Sequence, residues 1–191
     1  KQNLLRGTKF CRKGNASNSK ASSAGTHRRG LSVGRHIDMA FTRHVNGQEI
    51  YSPSKPAHAR LGFVIRALAA RGIKPYKAQV TLARADLKIK TTIDALAERA
   101  GEMVVIELKS TQFTRSRHLS LYDEPCIRQP KLTNGLVSSE RQMHLLQAAF
   151  GVIACRRYTG LTVSGIVVFS YRDSATVQYV PEELCNSVLF A

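Results

Sequence analysis

Acid is scarce in this chain. Asp and Glu number 13 against 29 Lys and Arg, a net charge of +16 over 191 residues, and no acid precedes Asp38. That excess is larger than solubility requires. It favours a polyanionic partner, held through counterion release from phosphates. Nucleic acid is the leading partner. An anionic membrane surface is the weaker one, because no segment reads as a basic amphipathic helix. Long apolar runs are missing as well. None approaches the ~20 residues a membrane span needs, so no membrane partner is expected. Close cysteine pairs are also lacking. Cys11, Cys126, Cys155 and Cys185 form no CxxC or CxxxC, which gives zinc or iron–sulfur sites little support. Their wide spacing does not read as a disulfide framework. They read as free thiols in an intracellular, reducing compartment, and mitochondrial, nuclear and viral settings are not distinguished. No internal repeat is present.

The first 29 residues lack hydrophobic periodicity. They are rich in Lys, Arg, Ser, Asn and Gly and read as a basic arm that does not fold alone. Such an arm suits nucleic-acid binding, a transit-peptide remnant, or docking on a large assembly. Arg28 and Arg29 at its end, with Arg35 just beyond, are candidate phosphate contacts.

Residues 30–191 carry the signals of one α/β domain. The hydrophobic fraction, 43% of the chain, suffices for a real core. "SVGRHIDMAFTRHV" has helical spacing at Val33, Ile37, Ala40 and Phe41, with Ser32 as the N-cap. "SKPAHARLGFVIRALAARG" is a stronger helix: Ala57, Leu61, Val64, Ile65 and Leu68 form one stripe, and Gly72 lies past its end. "AQVTLARA", "KIKTTIDALA" and "EMVVIELKS" follow as strands joined by short turns. A long loop spans 112–137. "SSERQMHLLQAAFGVIACRRY" is a helix capped by Ser138 or Ser139. "LTVSGIVVFSY" and "ATVQYV" are two more strands, and "PEELC" begins a last helical turn.

Chemistry concentrates on the middle strands. Side chains alternate along a strand, so Glu107 and Lys109 share one face while Val104, Ile106 and Leu108 share the other. If the segment with Asp94 lies alongside, two carboxylates converge. They would repel unless a cation lay between them, and oxygen-only ligands suit Mg2+ or Mn2+. Lys109 would then orient a water or stabilise charge on a phosphate. Glu-x-Lys alone occurs by chance in roughly every second chain of this length, and a cross-strand ion pair is its ordinary meaning. What carries weight is the combination: an acid after Ile, a hairpin-length gap, an apolar run, then Glu-Leu-Lys.

"TTIDAL" and "VVIELK" resemble the two central motifs of the PD-(D/E)xK nuclease superfamily, in its RecB-type, lambda-exonuclease-like branch. The order helix, three strands, helix, strand is similar to that family's core. The resemblance covers about residues 28–180. It implies a restriction-endonuclease-like core, a central mixed sheet flanked by helices. It also implies Mg2+-dependent hydrolysis of nucleic acid, with DNA favoured and RNA possible. By the same resemblance "RRGLSVGRHIDMAF" offers Asp38 or His36 near the metal, and "RQMHLLQAAFG" offers Gln147 or Gln142 as a site glutamine. Asp94 and Glu107 become the metal ligands, with Asp38 beside them, and Lys109 the catalytic lysine. The tyrosine that often follows the family's glutamine is absent here. Arg115 and Arg117, directly after the active strand, join the phosphate contacts. The competing expectation is a nuclease-like fold serving as a structural nucleic-acid-binding component of a large nucleoprotein assembly, such as a mitochondrial ribosome or a viral particle.

Overall fold

The middle strands do become the centre of the molecule. The structure is a computed structural model, and it describes residues 23–50, 55–84, 89–117 and 140–189. Helices α1 (Ser23–Val45) and α2 (Lys55–Ala69) come first. Strands β1 (Lys74–Arg84), β2 (Ile89–Arg99) and β3 (Glu102–Ser110) follow. Then come α3 (Glu140–Thr159), β4 (Val163–Ser170), β5 (Ala175–Tyr179) and α4 (Glu182–Leu189). The sheet order is β1-β2-β3-β4-β5. All neighbouring pairs are antiparallel except β3–β4, which is parallel. A parallel neighbour needs a crossover, and α3 supplies it.

Strand β3 reads as five successive buried residues, Val104 to Leu108, because both of its faces are covered. On one face Val104, Ile106 and Leu108 pack with Ala95, Ile166 and Val168 beneath α1 and α2, which contribute Ile37, Phe41, Leu61, Val64 and Leu68. On the other, Val105 packs with Leu96 and Val163 beneath Ala149, Val152 and Ile153 of α3. Each fully buried side chain of this size stabilises by about 1.5–3 kcal/mol relative to exposure. The predicted separation of faces along β3 therefore holds.

Several boundaries differ from expectation. Helix α1 begins at Ser23, so Ser32 lies inside it rather than at its cap, and the end of the basic segment is helical. Strand β1 starts four residues early, at Lys74, and absorbs Pro75 through a register shift between Pro75 and Lys77; an edge strand tolerates proline there. The β2–β3 turn uses Ala100 (φ 52°) and Gly101 (φ 84°). Two successive positive φ angles match the twist of a tight hairpin, which "RAGE" as a sequence does not diagnose. Ser138, Ser139, Cys11 and Cys126 lie outside the described residues. Cys155 and Cys185 are buried free thiols. Among the described residues no helix is long and apolar enough to cross a membrane.

Candidate active site

The site forms where the sheet divides. Pairing of β2 with β3 runs from Arg99–Glu102 only as far as Ala95–Ile106, whereas β2 stays paired with β1 out to Ile89. The two strands thus open like a fork beyond Ala95. Asp94 sits in the crotch. The β1–β2 register steps from Ala78–Ala95 to Val80–Ile93, so Asp94 has a partner in neither ladder. Its would-be neighbour on β1, Gln79, holds φ at 52°, a conformation costly for a residue with a Cβ. Alternation also breaks here: Ala95 packs under α1 and α2, but Ile93 packs under α3. In place of a ladder bond, the Leu108 N–H donates to Asp94 Oδ2 at 2.7 Å.

Across the fork stands Glu107, buried at 4% exposure. Lys109, two residues on and half-buried, donates from Nζ to Glu107 Oε1 at 2.5 Å. Asp38 reaches the same place from α1. Its helix can come this close because residue 34, one turn earlier on the same side, is glycine: a Cβ there would lie 2.8 Å from Ser110 Oγ at the end of β3.

These groups feel one another. Burial first, then the charge of Asp94, pushes Glu107 up to about 7, against the pull of Lys109. Burial raises Asp94, opposed by the Leu108 N–H and by Lys109. Asp38 is pushed to about 7 by desolvation of its inner side and then by Asp94. Much of Asp38 remains in water, which screens that rise. Asp94 raises both other acids, and Asp38 raises Glu107; such crowding of like charge is what a divalent cation relieves, and carboxylate oxygens are the donors Mg2+ prefers. The donor set therefore fits such an ion. Among the described residues, however, no three His, Cys, Asp or Glu side chains close into a ready-made cage; Lys109 holds one oxygen of Glu107 and Leu108 one oxygen of Asp94.

The glutamine candidates separate. Helix α3 touches the sheet at Gly151, where a Cβ would sit 3.2 Å from Val105 and 3.6 Å from Ile93. A crossover helix runs back against β3, so Gln147, one turn before Gly151 on the same face, lies toward the Glu107–Lys109 end. Gln142 is nine residues from Gly151, half a revolution round the helix, and is exposed. His36 is not among the groups that perturb the three acids, and its Nδ1 is buried without a partner. Arg35, Arg115 and Arg117 are exposed. The backbone N–H of Arg115 donates to Asp173, and Arg117 stacks over Phe113. Nothing is described of the side chains of Arg28 and Arg29.

Sequence reading missed Arg60. On α2 it looks like a solvated position, yet it is buried at 7% exposure and donates to Thr111 O at 2.7 Å. An arginine flanked by small and apolar residues on a helix that packs against a sheet was the available signal.

No family model and no curated protein matches the chain. Among solved structures, that of a candidate exonuclease from Eubacterium rectale aligns over 91% of this chain and 64% of its own, with a TM-score of 0.53 and 13% identity. The chain thus spans about two thirds of that protein's length, just under it. A second structure, that of the protein SSO0001, aligns over 83% of this chain and 70% of its own at 14% identity, but its TM-score of 0.29 is too low to bear on the fold. What the first likeness establishes is architecture: a mixed five-stranded sheet between helices, an α/β fold of nuclease-like form.

Proposed function

We propose that the protein is a divalent-metal-dependent nuclease of the PD-(D/E)xK type that hydrolyses phosphodiester bonds, with DNA favoured over RNA. The observation that carries this reading is the convergence of Asp38, Asp94 and Glu107 with Lys109 at the fork between β2 and β3. Asp94 and Glu107, with Asp38 beside them, would hold Mg2+ or Mn2+, which when bound supplies Lewis-acid polarisation of the phosphate and an acidified water. Lys109, paired with Glu107, would orient that water and stabilise charge developing on the phosphate. Gln147 lies on the α3 face directed to the same end of β3, and would position the water or the strand. The basic surface, including Arg35, Arg115 and Arg117, would hold the nucleic-acid backbone.

A second reading has one observation in its favour. Lys109 already pairs with Glu107, and no cage is preformed among the described residues. On that reading the acids and the lysine are an ion-pair network, and the protein binds nucleic acid as a structural part of a large assembly. Incubation of the purified protein with labelled linear and circular DNA and RNA, with and without Mg2+ or Mn2+, separates the two. Metal-dependent loss of full-length substrate supports the nuclease. Binding without turnover in every combination overturns it.

A further inference from the structure

The row of side chains that holds Lys109 continues past β3. In the β3–β4 register Lys109 stands beside Phe169, and in the β4–β5 register Phe169 stands beside Thr176. One row away, Glu107 stands beside Val167, and Val167 beside Gln178. Paired residues share a face. Thr176 and Gln178 therefore lie on the same face of the sheet as Lys109 and Glu107, two strands further on, a distance of roughly 10 Å at the usual strand spacing. A cleft of about 370 Å³ opens there, bordered by Arg115, Arg141, Phe169, Tyr171, Thr176 and Gln178. Its floor is fixed. Phe169 and Tyr171 are buried and stack with ring centroids 6.4 Å apart, and the hydroxyls of Thr176 and Tyr171 are bonded at 3.3 Å. Its two cations arrive from different elements. Arg141, in the first turn of α3, donates from Nε to Gln178 Oε1 at 3.0 Å, which fixes its guanidinium against β5. Arg115 lies on the chain leaving β3, anchored by its backbone N–H to Asp173 Oδ1 at 3.1 Å, with its side chain exposed at the border of the cleft. Among the described residues no Asp or Glu lines the cleft.

We infer that this cleft is a subsite for one nucleotide of a bound nucleic-acid strand. Arg115 and Arg141 take the phosphate, and the sugar and base sit over Tyr171, Thr176 and Gln178. Guanidinium groups match the two-oxygen edge of a phosphate. The volume lies at the lower end of the ~300–1,000 Å³ usual for small-ligand sites, more than a bare anion fills. Gln178 accepts from Arg141 through its oxygen, and its NH2 group supplies donors for the edge of a base. The place of the cleft in the rows of Lys109 and Glu107 favours a nucleotide over an acidic peptide. The phosphates of one strand advance about 3.4 Å each along a duplex, so a strand lying at Lys109 reaches the cleft within about three nucleotides. The subsite rests on the reading that the partner is nucleic acid, but not on cleavage.

Binding of a labelled DNA oligonucleotide to the full chain in the presence of a chelator, over a series of salt concentrations, tests it. Three variants each lower the net charge by one. Gln178→Glu keeps the oxygen that accepts from Arg141 and puts a carboxylate into the cleft. Arg115→Gln keeps the backbone bond to Asp173. Arg71→Gln, exposed at the far end of α2, is the control. Gln178→Glu and Arg115→Gln are each expected to weaken binding about tenfold at low salt, with Arg71→Gln near wild type. Arg115→Gln should also make the slope of log affinity against log salt shallower by ~0.9. The melting temperature of Gln178→Glu should not fall, because its carboxylate still holds Arg141; should that variant fail to fold, Arg115→Gln decides. If the cleft variants match Arg71→Gln in affinity and slope, or the wild type binds no DNA, the subsite is overturned. Poly-glutamate that binds the wild type and is lost in both cleft variants, with DNA binding unchanged, also overturns it and assigns the cleft to an acidic peptide. Cleavage plays no part in these measurements. A chain that binds as described but never cuts retains the subsite and loses the nuclease; one that cuts while both cleft variants bind normally does the reverse.

Discussion

The backbone N–H of Leu108 donates to Asp94 Oδ2 at 2.7 Å across the opening between β2 and β3. One carboxylate thereby has an observed job, satisfying a main-chain donor where the ladder has ended, and a proposed one, holding a metal ion. These jobs can be separated by substitution.

Asp94→Asn retains an acceptor for Leu108 and removes the charge. We expect a melting temperature at or above that of the wild type, with loss of Mn2+ binding by calorimetry and of cleavage. Asp94→Ala leaves the Leu108 N–H unpaired and should cost about 1–3 kcal/mol in chemical denaturation. If both variants bind Mn2+ as the wild type does, Asp94 is not a ligand.

Glu107 provides a pH signature. Its carboxyl moves from 4.5 in the unfolded chain to about 7 in the fold, so between those values the folded state binds the extra proton and loses stability as pH rises. The penalty is absent below pH 4.5 and complete above about 7. Glu107→Gln escapes it. The stability of the variant relative to wild type should therefore grow across that window, and saturating Mg2+ should close the difference at pH 8 by favouring the ionised wild-type site. A difference that is flat with pH contradicts this.

Lys109→Met keeps most of the aliphatic stem and loses the charge. Melting should change little, while cleavage falls by at least ~100-fold. Because Lys109 opposes the rise in Glu107, the acidic limb of the pH–rate profile should also move upward. A folded variant with normal turnover would reduce Lys109 to an ion-pair partner.

Gly34 acts on Asp38 at a distance. Gly34→Ala gains up to about 1 kcal/mol of helix propensity but meets Ser110 Oγ, whose rotation relieves most of the contact. Gly34→Val does not fit so easily. It should push α1 off the end of β3, carry Asp38 away and weaken Mn2+ binding about tenfold. Ser110→Ala in the same chain should restore part of that loss. Unaltered metal affinity in Gly34→Val would mean that the close approach does not position the acid.

Much of this was legible because it rests on alternation. Strand β3 was read from Glu102 to Ser110 with its faces in the right sense, since Val104, Ile106 and Leu108 could hardly be buried otherwise. Helix α2 was legible from its stripe. The start of α1 was not, because Gly, Thr, His and Arg around residues 25–30 carry no apolar period. Asp94 was placed on its strand, but the break in both ladders was invisible: a period of two has no symbol for a residue held between strands. Arg60 was hidden for a related reason, since burial of a charge depends on what two distant loops bring to it. The choice between Gln147 and Gln142 needed the contact at Gly151, a tertiary fact.

The gap at Asp94 has a mechanical consequence. Among the described residues, 89–93 of β2 pair with β1 and with no third strand, so that stretch is a two-stranded ribbon, tied to the rest of the fold by Ile93 beneath α3. Isolated ribbons are marginally stable in water. Its amides should exchange with solvent far sooner than those of β3 and β4, through openings that leave the rest of the sheet zipped. Asp94, held by the Leu108 N–H instead of a ladder bond, marks where such openings should stop.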